Sequence, residues 1–338
     1  MTARAFVAGC SGLTLTPDER TFFRDADPFG FILFRRNIGT PDEVRALTSA
    51  LRECVGRSDA PILIDQEGGR VQRMGPPHWP RYPSGRDYAA AGLSGEARRD
   101  LVRTGARLIA EDLRSVGIDV DCLPVLDVPV PGAHDAIGDR AYGDDPATVA
   151  ELGRAAAEGL LEGGVLPVVK HMPGHGRAGV DSHHDLPRVD AALEALRRHD
   201  FEPFRLLRDM PLGMSAHVVF EAIDPDRPAT TSPLVISRIV RGEIGFDGLL
   251  FTDDISMKAL SGGFRERSEA AIAAGCDVVL HCNGDLAEAR EVASGVPRLA
   301  GDALRRAYAA LARLAAPASS LDLVDLRRDF EEALARAA

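Results

Sequence analysis

Short apolar segments recur along the chain, and helix-like stretches lie between them. Each apolar segment has the length of a buried strand, whereas the intervening stretches are amphipathic or rich in Ala, Leu, Arg and Glu. Eight such strand–helix units predict a (β/α)8 barrel of the α/β class, with a doubly wound open sheet as the alternative. The predicted strands are 5–8, 30–34, 62–64, 118–123, 165–169, 212–215, 248–251 and 278–280.

The helical stretches and the absence of a linker predict how the chain is divided. No Ser/Gly-rich or charge-run linker interrupts the sequence, so we expect one domain over 1–338 with a helical tail from about 285 to 338. The helices predicted between the strands include 41–55, 94–115, 146–162, 191–207 and 265–274. The helices predicted in the tail are 285–294, 300–315 and 321–337.

Polar residues follow five of the eight predicted strands, at the end where a barrel carries its active site. Capping of strand ends by Asp and Thr is a common alternative explanation, but five coinciding cases make it a weak one. The residues are Asp65-Gln66-Glu67 after the third strand, Asp127 after the fourth, Lys170-His171 after the fifth, His217 after the sixth and Thr252-Asp253-Asp254 after the seventh.

Composition narrows the possible partners of this site. The 338 residues include 40 basic and 51 acidic side chains, a net charge of -11, which argues against nonspecific binding to nucleic acid or anionic membranes. Residues 1–9 lack the features of a signal peptide, and no apolar window approaches the ~18 residues of a membrane span. Five cysteines without a CxxC pair suggest neither a disulfide framework nor a zinc knuckle. We therefore expect a cytoplasmic protein.

The stretch 170–184 holds the densest set of candidate catalytic groups. Two glycines and a proline within 170–176 predict an irregular, mobile loop rather than a helix or strand. Four histidines and a carboxylate suggest a metal site, but Pro173 and Gly174 break the helix that would align two of them, so we expect no metal. One alternative is that Asp181 orients His183 as a general acid/base. Another is that the histidines only satisfy backbone groups.

Three further segments could contact or attack a ligand. The segment 65–73 mixes carboxylates and guanidiniums around Gly68 and Gly69, which suits a polyhydroxylated ligand. The segment 136–143 could add a contact through Arg140 or could be a surface Asp-Arg turn, and the spacing favours neither. Asp253 could attack an anomeric carbon while His183 protonates the leaving oxygen. Because adjacent strand residues point to opposite faces, only one of Asp253 and Asp254 is expected to face the barrel axis.

Taken together, these segments resemble the family 3 glycoside hydrolases, and among them the single-domain bacterial β-N-acetylhexosaminidases of peptidoglycan recycling. The Lys-His-x-Pro-Gly-His-Gly run followed by Asp-Ser-His is the most specific element. In the resemblance, its Asp-x-His pair separates this group from family 3 glucosidases. The resemblance extends nearly end to end, through 30–37, 65–71, 124–128, 170–176 with 181–183, 216–217 and 252–257.

The resemblance implies a role for individual residues. It makes Asp253 the nucleophile, His183 the acid/base and Asp181 the partner of His183. It implies sugar contacts by Asp65, Arg73, Arg140, Lys170 and His171. Two departures concern the fit of the aglycone, which is the part of the substrate that leaves: Asp139 before Arg140, and Asp121-Cys122-Leu123 in place of Asn-Phe-Ala.

The activity implied is that of a retaining exo-β-N-acetylglucosaminidase acting on GlcNAc-1,6-anhydro-MurNAc and its peptides, with no cofactor and no metal. We expect a monomer whose partner is a small carbohydrate, and neither nucleic acid nor a membrane. Two alternatives remain: a glycoside phosphorylase, because a neutral imidazole admits anionic phosphate, and a catalytically silent sugar-binding protein.

Overall fold

All eight predicted strands form, and they close into a parallel barrel. This computed structural model describes residues 2–182, 185–314 and 323–337. The first strand pairs with both the second and the eighth, which excludes the open-sheet alternative. The barrel strands are β1 Arg4–Gly9, β2 Pro28–Leu33, β3 Ile62–Ile64, β4 Val120–Asp121, β5 Leu166–Met172, β6 Leu212–Ser215, β7 Leu249–Asp254 and β8 Val278–His281.

Helices surround the barrel and continue into the tail. They are α1 Pro17–Ala26, α2 Pro41–Val55, α3 Gly85–Ala90, α4 Gly95–Arg114, α5 Pro146–Glu162, α6 Leu193–Arg198, α7 Glu202–Leu206, α8 Phe264–Ala274, α9 Leu286–Gly295, α10 Gly301–Leu311 and α11 Leu323–Ala337, with a π-helix at Val235–Glu243. The single helix predicted over 191–207 is wrong, because it divides into α6 and α7. Pro203 lies in the first turn of α7, where its missing N–H is tolerated, but it would break a continuous helix.

The fifth strand is longer than predicted, and this extension moves two site residues. The prediction ended the strand at residue 169 and placed Lys170 and His171 on a loop, which is wrong because both belong to β5. Backbone hydrogen bonds to the segment that follows β4 continue past residue 169, since Leu126 N–H donates to the carbonyl of Lys170 at 2.7 Å. Both side chains are therefore fixed on the barrel wall.

The last helix of the tail packs back onto the barrel's outer layer. Phe330 of α11 is buried and lies against Tyr82, with ring centroids 6.4 Å apart. Arg327 of the same helix donates to Asp112 of α4 at 3.0 Å. None of the helices in the described ranges has the length and apolar character needed to cross a membrane.

Candidate active site

A cavity of about 300 Å³ opens at the carboxyl ends of the barrel strands. It gathers residues that lie between positions 32 and 282 of the sequence. Of the eight predicted site residues, seven line it, and the eighth, His183, lies outside the described residues, as does His184. The seven are Asp65, Arg73, Arg140, Lys170, His171, Asp181 and Asp253.

Lys170 is the centre of a buried charge network at one wall of the cavity. Its side chain is 2% exposed, and its ammonium group lies 3.0 Å from Asp65 Oδ1 and 2.6 Å from Glu67 Oε1. Arg73 donates to the other oxygen of Asp65 at 2.9 Å. Arg140 binds Glu67 through two bonds of 2.8 Å. Three cations thus alternate with two carboxylates, so the charges are paired inside the barrel.

This pairing keeps both carboxylates ionised. Burial alone would raise the pKa of Asp65, but Lys170 and Arg73 outweigh it and hold that pKa well below its usual range. Burial is likewise outweighed at Glu67, where Arg140 and Lys170 lower the pKa to about 2. At neutral pH the wall therefore presents fixed acceptor oxygens and N–H donors, an arrangement suited to sugar hydroxyls.

Glu67 was not among the predicted contacts, although it lies within the segment 65–73 that the sequence analysis singled out. Its place in the network depends on the ion pair with Arg140, which lies 73 positions away in the sequence. That pair also decides between the two interpretations of 136–143. Arg140 is not part of a surface turn, because it lines the cavity and its side chain is only 15% exposed.

The two adjacent aspartates at the end of β7 both contribute to the lining of the cavity. The pairing of β7 with β8 shifts register between Phe251 and Asp254, and such an irregularity interrupts the alternation of side chains. The two carboxylates differ in their surroundings. Asp254 accepts from Ser256 N–H, from Ser256 Oγ and from Cys282 N–H at 3.0, 2.6 and 3.2 Å.

His217, the polar residue after β6, is not among the cavity-lining residues. Its Nδ1 lies 2.8 Å from Thr230 Oγ1, and its Nε2 lies 3.0 Å from the carbonyl oxygen of Asp254. Burial lowers the pKa of His217, so the ring is neutral at physiological pH. His217 therefore supports the backbone of the β7 end instead of facing a ligand.

The segment that follows β5 is irregular, as predicted, and is anchored at several points. Arg177 donates to Asp200 at 2.7 Å, and the carbonyl of Gly176 accepts from Val130 N–H at 3.3 Å. A Cβ at Gly176 would lie 2.0 Å from the carbonyl oxygen of Val128, so only glycine fits this approach. The histidine ring at position 175 lies with its Nε2 3.2 Å from Ser182 Oγ. These contacts hold the segment as far as Ser182, the residue after Asp181.

The histidines of this segment that the structure describes have protein partners. His171 Nδ1 lies 2.6 Å from Asp127 Oδ2, and His175 Nε2 faces Ser182 as above. Burial lowers the pKa of His175 to about 4, so its ring is neutral at pH 7. Within 2–182, 185–314 and 323–337, no group of three or more His, Cys, Asp or Glu is arranged to hold a metal ion.

Asp121, one of the departures from the family pattern, lies beneath the charge network. It is fully buried, and its Oδ1 accepts from Gln66 N–H at 2.9 Å. Its Oδ2 has no hydrogen-bond partner among the described residues. Burial raises the pKa of Asp121 well above its usual range; Lys170 opposes this, whereas Asp65 and Glu67 add to it. A neutral carboxylic acid here has nearly the shape of the asparagine that it replaces.

Asp121→Asn is expected to stabilise the protein increasingly as pH rises. Because the folded-state pKa of Asp121 lies above its unfolded value of about 3.9, the wild-type side chain contributes most below that pH. Its contribution is lost as pH rises through the folded pKa. The asparagine does not titrate, so the difference in unfolding free energy between variant and wild type should grow from pH 5 to pH 8. Urea unfolding at both values measures it, and a pH-independent difference would contradict a neutral Asp121.

The fold and the cavity define a (β/α)8-barrel protein whose active-site face carries carboxylates paired with Lys and Arg side chains. Residues 18–312 match the model of the glycosyl hydrolase family 3 N terminal domain. The chain therefore belongs to family 3 of the glycoside hydrolases. A β-hexosaminidase of Alkalilimnicola ehrlichii is 41% identical over 280 residues, which are 81% of this chain and 79% of that protein.

Two solved structures show the same architecture. A family 3 β-N-acetylglucosaminidase from Paenibacillus sp. is 34% identical with a TM-score of 0.83, covering 97% of this chain and 67% of that one. NagZ from Neisseria gonorrhoeae, solved in complex with N-trifluoroacetyl-D-glucosamine, is 31% identical with a TM-score of 0.85, covering 99% and 97%. The chain is thus a β-hexosaminidase-like family 3 glycoside hydrolase.

Proposed function

We propose that this protein is a retaining exo-β-N-acetylglucosaminidase that removes terminal β-linked GlcNAc from peptidoglycan fragments such as GlcNAc-1,6-anhydro-MurNAc and its peptides. The observation that carries the proposal is the shared cavity of Asp253, Asp181 and the Lys170 charge network. The N-acetylated sugar is supported by the likeness to a NagZ solved with N-trifluoroacetyl-D-glucosamine.

In the first step, the carboxylate of Asp253 attacks the anomeric carbon and forms a covalent glycosyl-enzyme. The bond from that carbon to the leaving oxygen breaks, and the imidazolium of His183 gives the oxygen its proton. In the second step, neutral His183 takes a proton from water, the resulting hydroxide attacks the anomeric carbon, and Asp253 is released. Asp181 holds the imidazole in one tautomer and orientation.

The charge network would bind the sugar in this scheme. Asp65 accepts hydrogen bonds from hydroxyls, while Arg73, Arg140 and Lys170 donate to them. His171, fixed on β5, adds a contact from the adjacent wall. Because these side chains are already held in place by their ion pairs, little conformational entropy is lost when the sugar binds.

The remaining parts of the proposal rest on the sequence. They are one catalytic domain over 1–338, a monomer, and a cytoplasmic location. Light scattering of the purified protein tests the second of these: a mass of one chain supports it, and a mass of two opposes it. Fractionation of the producing cells tests the third.

The experiment that tests the function compares p-nitrophenyl β-GlcNAc with p-nitrophenyl β-glucoside. We expect turnover of the first, and turnover of the second alone would overturn the assignment. GlcNAc-1,6-anhydro-MurNAc is then incubated with and without phosphate. Free GlcNAc in both samples supports hydrolysis, whereas GlcNAc-1-phosphate in the sample that contains phosphate identifies a phosphorylase. No release from this disaccharide by an enzyme that cleaves the nitrophenyl glycoside would overturn the proposed substrate class.

His183→Ala is expected to lose less activity towards the nitrophenyl glycoside than towards the disaccharide. Nitrophenolate leaves without protonation, whereas a sugar oxygen needs a proton, so only the second substrate should lose the full ~10²- to 10⁴-fold in glycosylation. Added azide should restore deglycosylation of the nitrophenyl substrate, because azide needs no general base. Equal losses for both substrates would mean that His183 is structural.

A further inference from the structure

Asp127 contacts the candidate site without lining its cavity. It follows β4 and is fully buried. One carboxylate oxygen, Oδ2, lies 2.6 Å from His171 Nδ1. The other, Oδ1, accepts from the backbone N–H of His175 at 2.6 Å and from that of His171 at 3.3 Å. A single side chain therefore fixes two parts of the chain that both reach the cavity.

The first contact decides which nitrogen of His171 carries a proton. Burial alone would raise the pKa of Asp127, but its contact with the His171 ring and the hydrogen bond from His175 N–H outweigh burial and lower that pKa. An ionised carboxylate can only accept hydrogen bonds, so Nδ1 of His171 must be the donor. The Nε2 of the same ring is then left for the cavity, which His171 lines.

The second contact fixes the turn after β5. Pro173 has no N–H, and Gly174 N–H already donates to the carbonyl of His171 at 2.8 Å. The N–H of His175 is thus the next donor of the turn, and Asp127 accepts it. The ring of His175 in turn contacts Ser182 Oγ, and Ser182 lies between Asp181 and His183 in sequence.

We infer that Asp127 is a positioning residue: it holds His171 in the Nδ1–H tautomer and anchors the turn from which the Asp181–His183 segment begins. This inference rests on the proposed function, in which His171 contacts the sugar and His183 transfers the proton. Asp127 itself is not among the residues that line the cavity.

Asp127→Asn separates the two contacts. Its Oδ1 can still accept from His175 N–H, so the turn is preserved. Its amide group now donates towards His171 Nδ1, which must become an acceptor, and the ring proton moves to Nε2. We expect KM for p-nitrophenyl β-GlcNAc to rise about 10- to 100-fold, the range found when the carboxylate partner of a metal-binding histidine is removed. The kcat should fall less, since the proposed nucleophile and acid/base remain in place.

Imidazole nitrogen spectra of the ¹⁵N-histidine-labelled protein give a readout that does not depend on activity. The wild type should show one ring in the Nδ1–H tautomer with a low-field proton, and His171→Gln should remove that signal and so assign it. Asp127→Asn should convert the ring to the Nε2–H tautomer. A wild-type His171 in the Nε2–H tautomer would overturn the inference even if the Asp127 variant failed to fold.

Asp277→Asn is the matched control. Asp277 is a buried carboxylate that accepts from Leu250 N–H at 2.9 Å and binds Arg241 at 2.7 Å, immediately before β8 begins and so at the barrel end opposite the cavity. This variant should lower the melting temperature but leave KM and the His171 spectrum unchanged. A wild type inactive on β-GlcNAc would refute the proposed function, while the spectra would still decide the tautomer. An active wild type with unchanged KM and tautomer in Asp127→Asn would refute the inference.

Discussion

Replacing Asp253 by asparagine is expected to reduce kcat for p-nitrophenyl β-GlcNAc by about 10⁴- to 10⁶-fold, the loss typical of removing a catalytic nucleophile. The amide has nearly the size of the carboxylate but cannot attack the anomeric carbon. Asp253 Oδ1 accepts from Asp254 N–H at 2.7 Å, and the amide oxygen of asparagine can keep that bond. The variant should therefore unfold at a similar urea concentration while its turnover is lost.

The neighbouring carboxylate provides the control for this prediction. Asp254→Asn keeps an acceptor for Ser256 and Cys282 N–H but loses the charge, so we expect a much smaller decrease in kcat. An inactive Asp254 variant beside an active Asp253 variant would mean that the nucleophile is the wrong neighbour. A fluorinated glycoside that traps the intermediate should label the peptide carrying Asp253, and a label on Glu67 would contradict the mechanism.

Lys170→Met is expected to lower the free energy of unfolding by about 3–5 kcal/mol, the loss typical of breaking a buried ion pair. The methionine keeps the apolar length of the lysine stem but removes the ammonium from between Asp65 and Glu67, whose side chains are 15% and 4% exposed. Each carboxylate then keeps one arginine partner, and their mutual repulsion inside the barrel is no longer offset. Urea unfolding at pH 7 measures the loss, and binding of GlcNAc should weaken as well.

A surface pair calibrates this effect. Arg99 binds Glu151 at 2.7 Å, but the arginine side chain is 46% exposed, so solvent screens the pair. Arg99→Met should change the unfolding free energy by less than about 1 kcal/mol, as exposed pairs do. If Lys170→Met costs no more than Arg99→Met, the network does not stabilise the fold and is retained for ligand binding alone.

The eight strands could be predicted from sequence because each is a short, locally apolar segment. The signal lies within a few residues and needs no knowledge of the neighbours. For the same reason α2 and α5 begin and end where they were predicted, since Thr40 and Asp145 cap the two N-termini and Pro41 and Pro146 follow. The polar residues at the strand ends were also visible, because a parallel barrel brings those ends to one face.

The helix over 191–207 and the loop at 170–171 were predicted wrongly for related reasons. A pattern of apolar positions does not show where a backbone finds its hydrogen-bond partners. Pro203 has no N–H to continue the hydrogen bonds of a single helix over 191–207. Backbone hydrogen bonds with Pro124 and Leu126, by contrast, extend β5 through Lys170. The first outcome depends on the chemistry of one proline, and the second depends on backbone contacts with a segment that is distant in sequence.

The sequence by itself determined the barrel, the face that carries the site and seven of the residues that line its cavity. Only the tertiary structure decided their pairing: Lys170 between Asp65 and Glu67, Arg140 on Glu67, and Asp127 on His171. These partners lie 44 to 105 positions apart. The physical reason is that an ion pair requires atoms within about 4 Å. Distances on that scale are fixed by strand register and by turns, which the order of residue types along the chain does not specify.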